Sequence, residues 1–348
     1  MSKIVAVARD MAPSEGVGAC ADELEKRGCE VKKFLSFGKP FSGSVEELTQ
    51  DLQAADVVLC GFSSSEALAQ EEIAAAKAAM ARGVPLFFYA DTFGVYRAPW
   101  MSFARSWARV VFVQTEPECS GAQPIFPNAR VVASGSPIYE KAFFPPKSRS
   151  EIRAGLGLEE EDRMIFVPCG KALVDNGVLI AAVLQALSGL GIEYRPFITL
   201  HPGDTNEAAQ YKALESYPLR VRARVLGRDD GISSQEALCG TDLVITGGSA
   251  AAIEAACMRI PVIDFMPEVI MARMATVRGA WRWERSDLGI TRLVRWCSEE
   301  LRGTVCDLLS LGGYSAMRAV HERCYPKPER QGVAAETMAD AVMLLLYL

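Results

Sequence analysis

The residues best suited to chemistry lie in one stretch late in the chain. The apolar run at residues 243–245 predicts a buried parallel strand, and Gly247 and Gly248 follow it with a backbone that can adopt positive φ or approach a ligand closely. Ser249 is suited to cap an Ala-rich helix that Pro261 ends. A strand, a glycine pair and a helix N-terminus together predict a site for an anion such as a phosphate.

A second set of candidates is acidic and lies in the first part of the chain. Glu15 follows the predicted strand at residues 4–8, and Asp91 follows the one at residues 85–89. Open α/β sheets collect ligands at the carboxyl ends of their strands. A carboxylate there could take a proton from an acceptor hydroxyl, which usually accelerates a reaction by about 10²–10⁴. Asp10 is a third carboxylate in this setting, and the alternative for each is a turn or cap residue.

An alternation of predicted strands and helices positions these candidates. Strands are expected at residues 4–8, 30–35, 56–60, 85–89, 109–114, 129–133, 164–168, 194–200, 220–226, 243–245 and 262–263. Helices are expected at residues 19–27, 45–54, 66–82, 178–190, 233–239 and 334–346, and residues 280–309 are helical in tendency. Residues 9–18 are predicted to be a loop because they contain Pro13, Gly16 and Gly18. The alternation indicates an α/β protein with parallel sheets covered on both faces.

The length predicts two domains, since 348 residues exceed the usual size of one. Ser134-Gly-Ser-Pro and the Pro/Ser-rich residues 144–150 break the alternation and are the best linker. We therefore place a first domain at residues 1–142, a second at 143–328 and a terminal helix at 329–348.

Composition limits the functional classes. Half of the residues are hydrophobic, 23% are charged and the net charge is −6, which is typical of a globular protein and argues against broad nucleic-acid binding. Ten scattered cysteines without CxxC pairs indicate reduced, intracellular usage. The only histidines are His201 and His321, so a histidine-rich metal site is not expected. Without a secretory signal or a long apolar run, we expect a cytoplasmic protein.

Four motifs resemble the GT-B glycosyltransferase superfamily, which includes the lipid A disaccharide synthase, MurG, CDP-glycerol phosphotransferase and UDP-N-acetylglucosamine 2-epimerase families. Asp242-Leu-Val-Ile-Thr-Gly-Gly-Ser with Glu254 is similar to their donor-binding strand, loop and helix. Leu200-His-Pro resembles a His-Pro in their second domain, and Ser134-Gly-Ser-Pro resembles the turn that enters the linker. Ser14-Glu-Gly-Val-Gly is a looser match to the acceptor loop.

The resemblance implies an architecture and a set of ligand contacts. Two Rossmann-like domains would face each other across a cleft, with a C-terminal helix that crosses back to the first domain. Glu254 would bind the ribose hydroxyls of a nucleoside diphosphate, and Gly247, Gly248 and Ser249 would hold its phosphates. Four further positions would lie beside the nucleotide, with a surface or structural role as the alternative for each: Gly170, Lys171, His201 and Arg228.

The function implied is metal-independent transfer of a sugar from a nucleotide-diphosphate sugar, with UDP as the expected nucleotide and no other cofactor. The acceptor, such as a glycan or a lipid-linked molecule, would lie against the first domain, where Glu15 or Asp91 would act as base. One alternative is a UDP-sugar 2-epimerase or hydrolase, although its basic first-loop motif is missing. Another is a non-catalytic nucleotide- or partner-binding module, which the absence of histidine from the first domain favours.

An aromatic and basic cluster near the end of the second domain has two interpretations. It could contact an anionic acceptor or the surface of the inner membrane as a peripheral protein does. Alternatively, its tryptophans pack between helices and its arginines extend over them. The members are Trp281, Arg282, Trp283, Arg285, Arg292, Arg295 and Trp296.

Overall fold

The chain forms two compact units, each built on its own six-stranded parallel sheet. The computed structural model describes residues 1–40, 45–170, 173–190, 194–201, 211, 221, 223–226, 231–278, 283–295 and 297–346. The first unit contains Met1–Lys141, Met274–Ala280 and Pro328–Leu348, and the second contains Ala142–Arg273 and Trp281–Lys327. The predicted α/β class with two Rossmann-like parallel sheets is confirmed.

The first unit alternates strands and helices over most of its length. Its elements are β1 (Lys3–Ala8), α1 (Met11–Lys26), β2 (Glu30–Leu35), α2 (Val45–Ala54), β3 (Val57–Cys60), α3 (Gln70–Arg82), β4 (Leu86–Tyr89), β5 (Ala108–Val113), α4 (Glu116–Ala122) and β6 (Arg130–Ala133). Short 3₁₀ helices at Val95–Arg97 and Pro99–Ala104 separate β4 from β5. The sheet has the order β2-β1-β3-β4-β5-β6, so the strand order reverses between β1 and β3.

The second unit repeats the alternation after a 3₁₀ turn at Glu140–Phe143. Its elements are α5 (Arg149–Leu156), β7 (Arg163–Pro168), α6 (Leu173–Ser188), β8 (Tyr194–Thr199), β9 (Arg224–Leu226), α7 (Ser234–Gly240), β10 (Leu243–Thr246), α8 (Ala251–Cys257), β11 (Val262–Phe265), α9 (Glu268–Arg278), α10 (Glu284–Asp287), β12 (Arg292–Val294), α11 (Ser298–Leu309) and α12 (Leu311–Cys324). The order β12-β11-β10-β7-β8-β9 reverses between β7 and β10. Ligands of open α/β sheets bind outside the carboxyl ends of the strands at such a reversal.

Apolar side chains from alternate strand positions fill both faces of each sheet. In the second unit, Ile165 and Ile245 pack with α6 and α11 on one face, while Phe166 and Val244 pack with α5, α7 and α8 on the other. Such two-sided burial is the reason why the strands read as continuous apolar runs. The sheets therefore hold the loops at their carboxyl ends on a rigid support.

The chain ends in α13 (Val333–Leu346), which packs on α1 within the first unit. The Glu140 carboxylate accepts hydrogen bonds from the N–H groups of Gly332 (2.7 Å) and Ala334 (2.6 Å), so it caps the start of this helix. Arg27 on α1 pairs with Asp340 at 2.5 Å. No helix formed by the described residues is long and apolar enough to cross a membrane.

Two predicted elements are wrong. The loop expected at residues 9–18 is mostly helix, because α1 begins at Met11. Pro13 lies in the first turn, where a missing N–H removes no helical hydrogen bond. Gly16 is required for packing rather than for a turn, since a Cβ at this position would lie 2.0 Å from Cε1 of Tyr89.

The second error concerns residues 280–309, which we predicted to be helical in tendency. Within the described part of this segment, Arg292–Val294 forms the edge strand β12, between the short helix α10 and α11. It pairs in parallel with β11, with Val294 opposite Phe265. Val294 is 1% exposed, so burial against the sheet overrides the local helical pattern.

Candidate functional site

The glycine pair lies at the reversal of strand order in the second sheet. It directly follows β10, and the buried Thr246 hydroxyl at the end of that strand donates to the carbonyl of Pro168 at the end of β7 (3.3 Å). The same hydroxyl accepts from the N–H of Ser249 (2.9 Å), which closes the loop around both glycines. Gly248 has φ of 98°, a conformation that L side chains rarely adopt.

This loop differs from the prediction in how it enters the helix. The N-cap of α8 is Ala250, not Ser249, and it makes no side-chain cap hydrogen bond. The Ser249 hydroxyl still accepts from the N–H of Ala251 (3.3 Å), while the Ser249 N–H is engaged by Thr246. The backbone donors of the glycines are therefore better suited to an incoming anion than the Ser249 amide. Glu254 lies in the first turn of α8 and is half-buried.

A buried ion pair supports the loop from behind. Asp264 at the end of β11 is fully buried and binds the Arg285 guanidinium through both carboxylate oxygens, at 2.8 Å from Nε and 2.5 Å from Nη2. The Trp283 indole N–H and the Thr291 hydroxyl also donate to Asp264, each at 2.6 Å. The second guanidinium nitrogen, Nη1, donates to the carbonyl of Ser249 (3.0 Å), so the network reaches the loop itself.

Trp283 also packs against the glycine loop. Its ring atoms lie 3.5 Å from the position of a Cβ at Gly248, and the Arg285 guanidinium lies 4.7 Å from its ring centroid. Trp283 and Arg285 are 6% and 4% exposed, so these two members of the aromatic and basic cluster belong to the core and are not available to a membrane. Sequence reasoning missed Asp264, although an acidic residue ending an apolar strand was a signal.

The remaining predicted ligand residues have separate environments. Gly170 follows β7, and both its N–H and its carbonyl are hydrogen-bonded to the Asn176 side chain (2.9 and 3.0 Å). His201 lies two residues beyond β8 and is half-buried, at the same edge of the sheet. Lys171 and Arg228 lie outside the described residues. The structure thus brings Gly170, the glycine pair and Glu254 to the ends of β7 and β10.

The predicted bases of the first unit are in contrasting positions. Glu15 is exposed on α1, so its predicted place in a loop after β1 is wrong. Asp91 directly follows the turn after β4 and is only 8% exposed, and its carbonyl accepts from the Gln114 side-chain amide. Nearby, the Tyr89 and Ser136 hydroxyls are 3.0 Å apart. Asp91 therefore has the more enclosed setting of the two.

Sequence reasoning missed the carboxylate at the reversal point of the first sheet. Glu72 in the first turn of α3 is fully buried, and its Oε1 accepts from the Ser63 hydroxyl (2.5 Å) and the Arg9 N–H (3.1 Å). Among the described residues its Oε2 has no hydrogen-bond partner. Burial raises the pKa of Glu72 to about 7. Asp10 lies beside it and accepts from the N–H of Ser64 (2.7 Å).

Solved structures with the same architecture bind uridine nucleotides. Acinetobacter baumannii MurG has a TM-score of 0.63 at 14% identity, over 99% of this chain and 100% of that one. MnaA of S. aureus, solved with UDP, has a TM-score of 0.66 at 14% identity, over 100% and 98%. UDP-GlcNAc 2-epimerase from Neisseria meningitidis, bound to UDP-GlcNAc, has a TM-score of 0.62 at 12% identity, over 98% and 100%.

The fold is that of the GT-B superfamily. The predicted resemblance is thereby confirmed at the level of fold, which glycosyltransferases and 2-epimerases share. No protein-family model and no curated protein matches the sequence.

Proposed function

We propose that the second unit binds a UDP-linked sugar and that the chain is a glycosyltransferase. The observation that carries this proposal is the two-glycine loop at the reversal point of the second sheet. Its glycine N–H groups suit a diphosphate, and Glu254 suits the ribose hydroxyls. A carboxylate that accepts from such hydroxyls contributes about 1.5–3 kcal/mol. The UDP complex of MnaA supports the choice of nucleotide.

The proposed reaction is displacement at the anomeric carbon of the sugar. A bond forms from the acceptor oxygen to this carbon as the bond to the diphosphate breaks, and a base takes the proton of the acceptor hydroxyl. Asp91 and Glu15 remain the predicted bases. Asp91 is the stronger candidate, because a buried carboxylate can keep water away from the reacting groups, whereas Glu15 is exposed.

A 2-epimerase or hydrolase of the same fold is the second candidate. Inverting a C–H centre requires one group to remove a proton and one to return it. The first unit buries Glu118 (2% exposed) near Asp91, since the backbone N–H of Gln114 donates to Glu118 and its side-chain amide donates to the carbonyl of Asp91. Two carboxylates at adjacent strand ends suit this chemistry, and they were not apparent as a pair in the sequence.

Calorimetry with UDP tests the shared part of both proposals. We expect binding, with the dissociation constant at least about tenfold higher in Glu254→Ala because a charged hydrogen bond is lost. Glu268→Ala is the matched control, since Glu268 is an exposed acid in the first turn of α9 and should leave binding unchanged. No binding of UDP, or equal binding by Glu254→Ala, would exclude the proposed donor site.

Incubation with UDP-GlcNAc alone separates the reactions. A product that forms without acceptor supports the epimerase or hydrolase, whereas UDP release that requires an added acceptor pool supports the transferase. Binding with no turnover under either condition would reject both enzymes and favour a non-catalytic nucleotide-binding module.

A further inference from the structure

A large cavity lies at the opposite edge of the second sheet from the glycine loop. Its volume is about 1010 Å³, and every residue that lines it belongs to the second unit. Arg163 begins β7, Asp242 immediately precedes β10, and Ile260 lies two residues before β11, so the cavity is at the amino ends of these strands. Strands of this length separate the two edges by roughly 13–20 Å. The cavity is therefore distinct from the proposed nucleotide site.

The lining of this cavity is strongly basic. Two of its side chains are acidic, Asp242 and Glu322, against six that are cationic: Lys147, Arg149, Arg163, Arg259, Arg318 and Lys327. Glu236 lies outside the lining but pairs with Lys147 at 2.7 Å. Counting it as well leaves three positive charges in excess, although the whole chain has a net charge of −6. This excess of positive charge creates a local attraction for anions.

One carboxylate is shared among several cations of the cavity wall. Asp242 lies 2.7 Å from Arg149, 3.3 Å from Arg153 and 3.5 Å from Arg163, and it also accepts from the N–H of Met164 (2.8 Å). A single negative charge cannot neutralise three guanidinium groups. Arg149 and Arg163 therefore retain unbalanced charge at the cavity surface, where their side chains are 47% and 54% exposed.

Arg259 adds a cation without a counter-ion. Its guanidinium donates to the carbonyls of Ala256 (3.0 Å) and Tyr325 (2.7 Å) and lies 5.5 Å from the ring centroid of Phe143. Among the described residues no carboxylate lies within 4.0 Å of it, and burial lowers its pKa. Its φ of 66° is a left-handed conformation that costs free energy in a non-glycine residue. Strained residues of this kind often lie at binding sites.

The helix that borders the cavity contributes further positive potential. Ser310 and Leu311 line the cavity at the start of α12, a helix of 14 residues. The Ser310 hydroxyl caps it by accepting from the N–H of Gly313 (3.1 Å), and its first turn contains no acidic residue. The N-terminal end of the helix dipole is thus not neutralised locally and favours an anion.

We propose that this cavity binds a phosphate-bearing ligand. Guanidinium groups match the oxygens of phosphate in pairs, and the lysines add point charges. A free phosphate compound and the headgroup of an anionic lipid share this chemistry. The site is independent of the proposed nucleotide site, since none of its residues belongs to the glycine loop.

Titration of inorganic pyrophosphate into the full chain, followed by calorimetry, tests the proposal. We expect binding in wild type that weakens as salt is added. Arg259→Gly removes the guanidinium and suits the left-handed backbone, and Lys327→Gln changes an exposed side chain, so neither should prevent folding. Each variant should weaken binding roughly tenfold. Arg109→Gln is the matched control, because it removes an exposed arginine from β5 of the other sheet.

The outcomes separate this site from the glycine loop. Glu254→Ala should bind pyrophosphate as wild type does, whether or not UDP binds to the loop. Co-sedimentation with phosphatidylglycerol vesicles that is lost in both cavity variants would identify a lipid headgroup, and pyrophosphate binding without co-sedimentation would identify a free phosphate compound. No binding to either probe, or equal binding by wild type and both cavity variants, would overturn the proposal.

Discussion

Replacement of Glu72 by glutamine tests whether a buried carboxyl group is held protonated in the first unit. Glu72 is fully buried at the reversal point of the first sheet, where the Ser63 hydroxyl and the Arg9 N–H donate to one of its oxygens. Two hydrogen bonds favour the charged form, but burial has the larger effect and raises the pKa to about 7. Glutamine has nearly the same shape and remains neutral at every pH.

The magnitude follows from proton linkage. Below pH 4.5, the ordinary value for the carboxyl group, Glu72 is protonated in both the folded and the unfolded chain. As the pH rises from 4.5 to about 7, the unfolded chain loses the proton while the folded chain retains it, so the free energy of unfolding falls. At about 1.36 kcal/mol per pH unit, this fall amounts to roughly 3 kcal/mol. Above pH 7 the contribution of Glu72 no longer changes.

Urea unfolding of wild type and Glu72→Gln at a series of pH values measures this difference. Relative to wild type, we expect the variant to become more stable by about 3 kcal/mol between pH 4.5 and 8. Glu71→Gln is the matched control: it removes the neighbouring carboxylate, which pairs with Arg9 at 3.1 Å, and should keep most of the wild-type slope because Glu72 is intact. Parallel pH profiles for wild type and Glu72→Gln would show that the buried carboxyl is ionised in the folded chain.

Two further substitutions test the packing of the candidate site and of α1. Asp264→Asn should destabilise the second unit by about 3–5 kcal/mol, because it leaves the Arg285 charge buried without a partner; urea unfolding measures this, and a loss below about 1 kcal/mol would contradict it. Gly16→Ala should cost about 1–3 kcal/mol, since its Cβ would overlap the Tyr89 ring. Gly155→Ala on α5, which meets no atom within 4 Å, should instead stabilise by about 0.5–1 kcal/mol in thermal unfolding.

Local pattern was sufficient to predict the central strand, loop and helix of the candidate site. The apolar run of β10, the glycine pair and the proline that ends the helix are signals that depend only on neighbouring residues. The positive φ of Gly248 agrees with the role given to the pair. The N-cap was misplaced by one residue because Ser249 is used to fold the loop back toward Thr246, a contact that a capping preference does not describe.

The parts that could not be predicted depend on contacts between distant positions. Gly16 has the appearance of a loop residue until Tyr89, more than seventy positions later, is seen to pack on it. Asp264 and Arg285 are 21 positions apart, so no helical or strand spacing links them. Glu72 follows another glutamate at the start of a helix, a setting typical of solvated acidic residues. Only the fold places it between Ser63 and Arg9.

The charges around the glycine loop restrict how it could bind a diphosphate. Arg285 is the cation nearest the loop in the described part of the second unit, but both of its inner nitrogens are committed to Asp264 and the third donates to Ser249. The pair is neutral as a whole, so it fixes the loop without offering net positive charge. The two charges of a bound diphosphate would then be balanced by backbone dipoles and by a cation from another loop. Lys171, directly after Gly170, is the sequence position best suited to supply it.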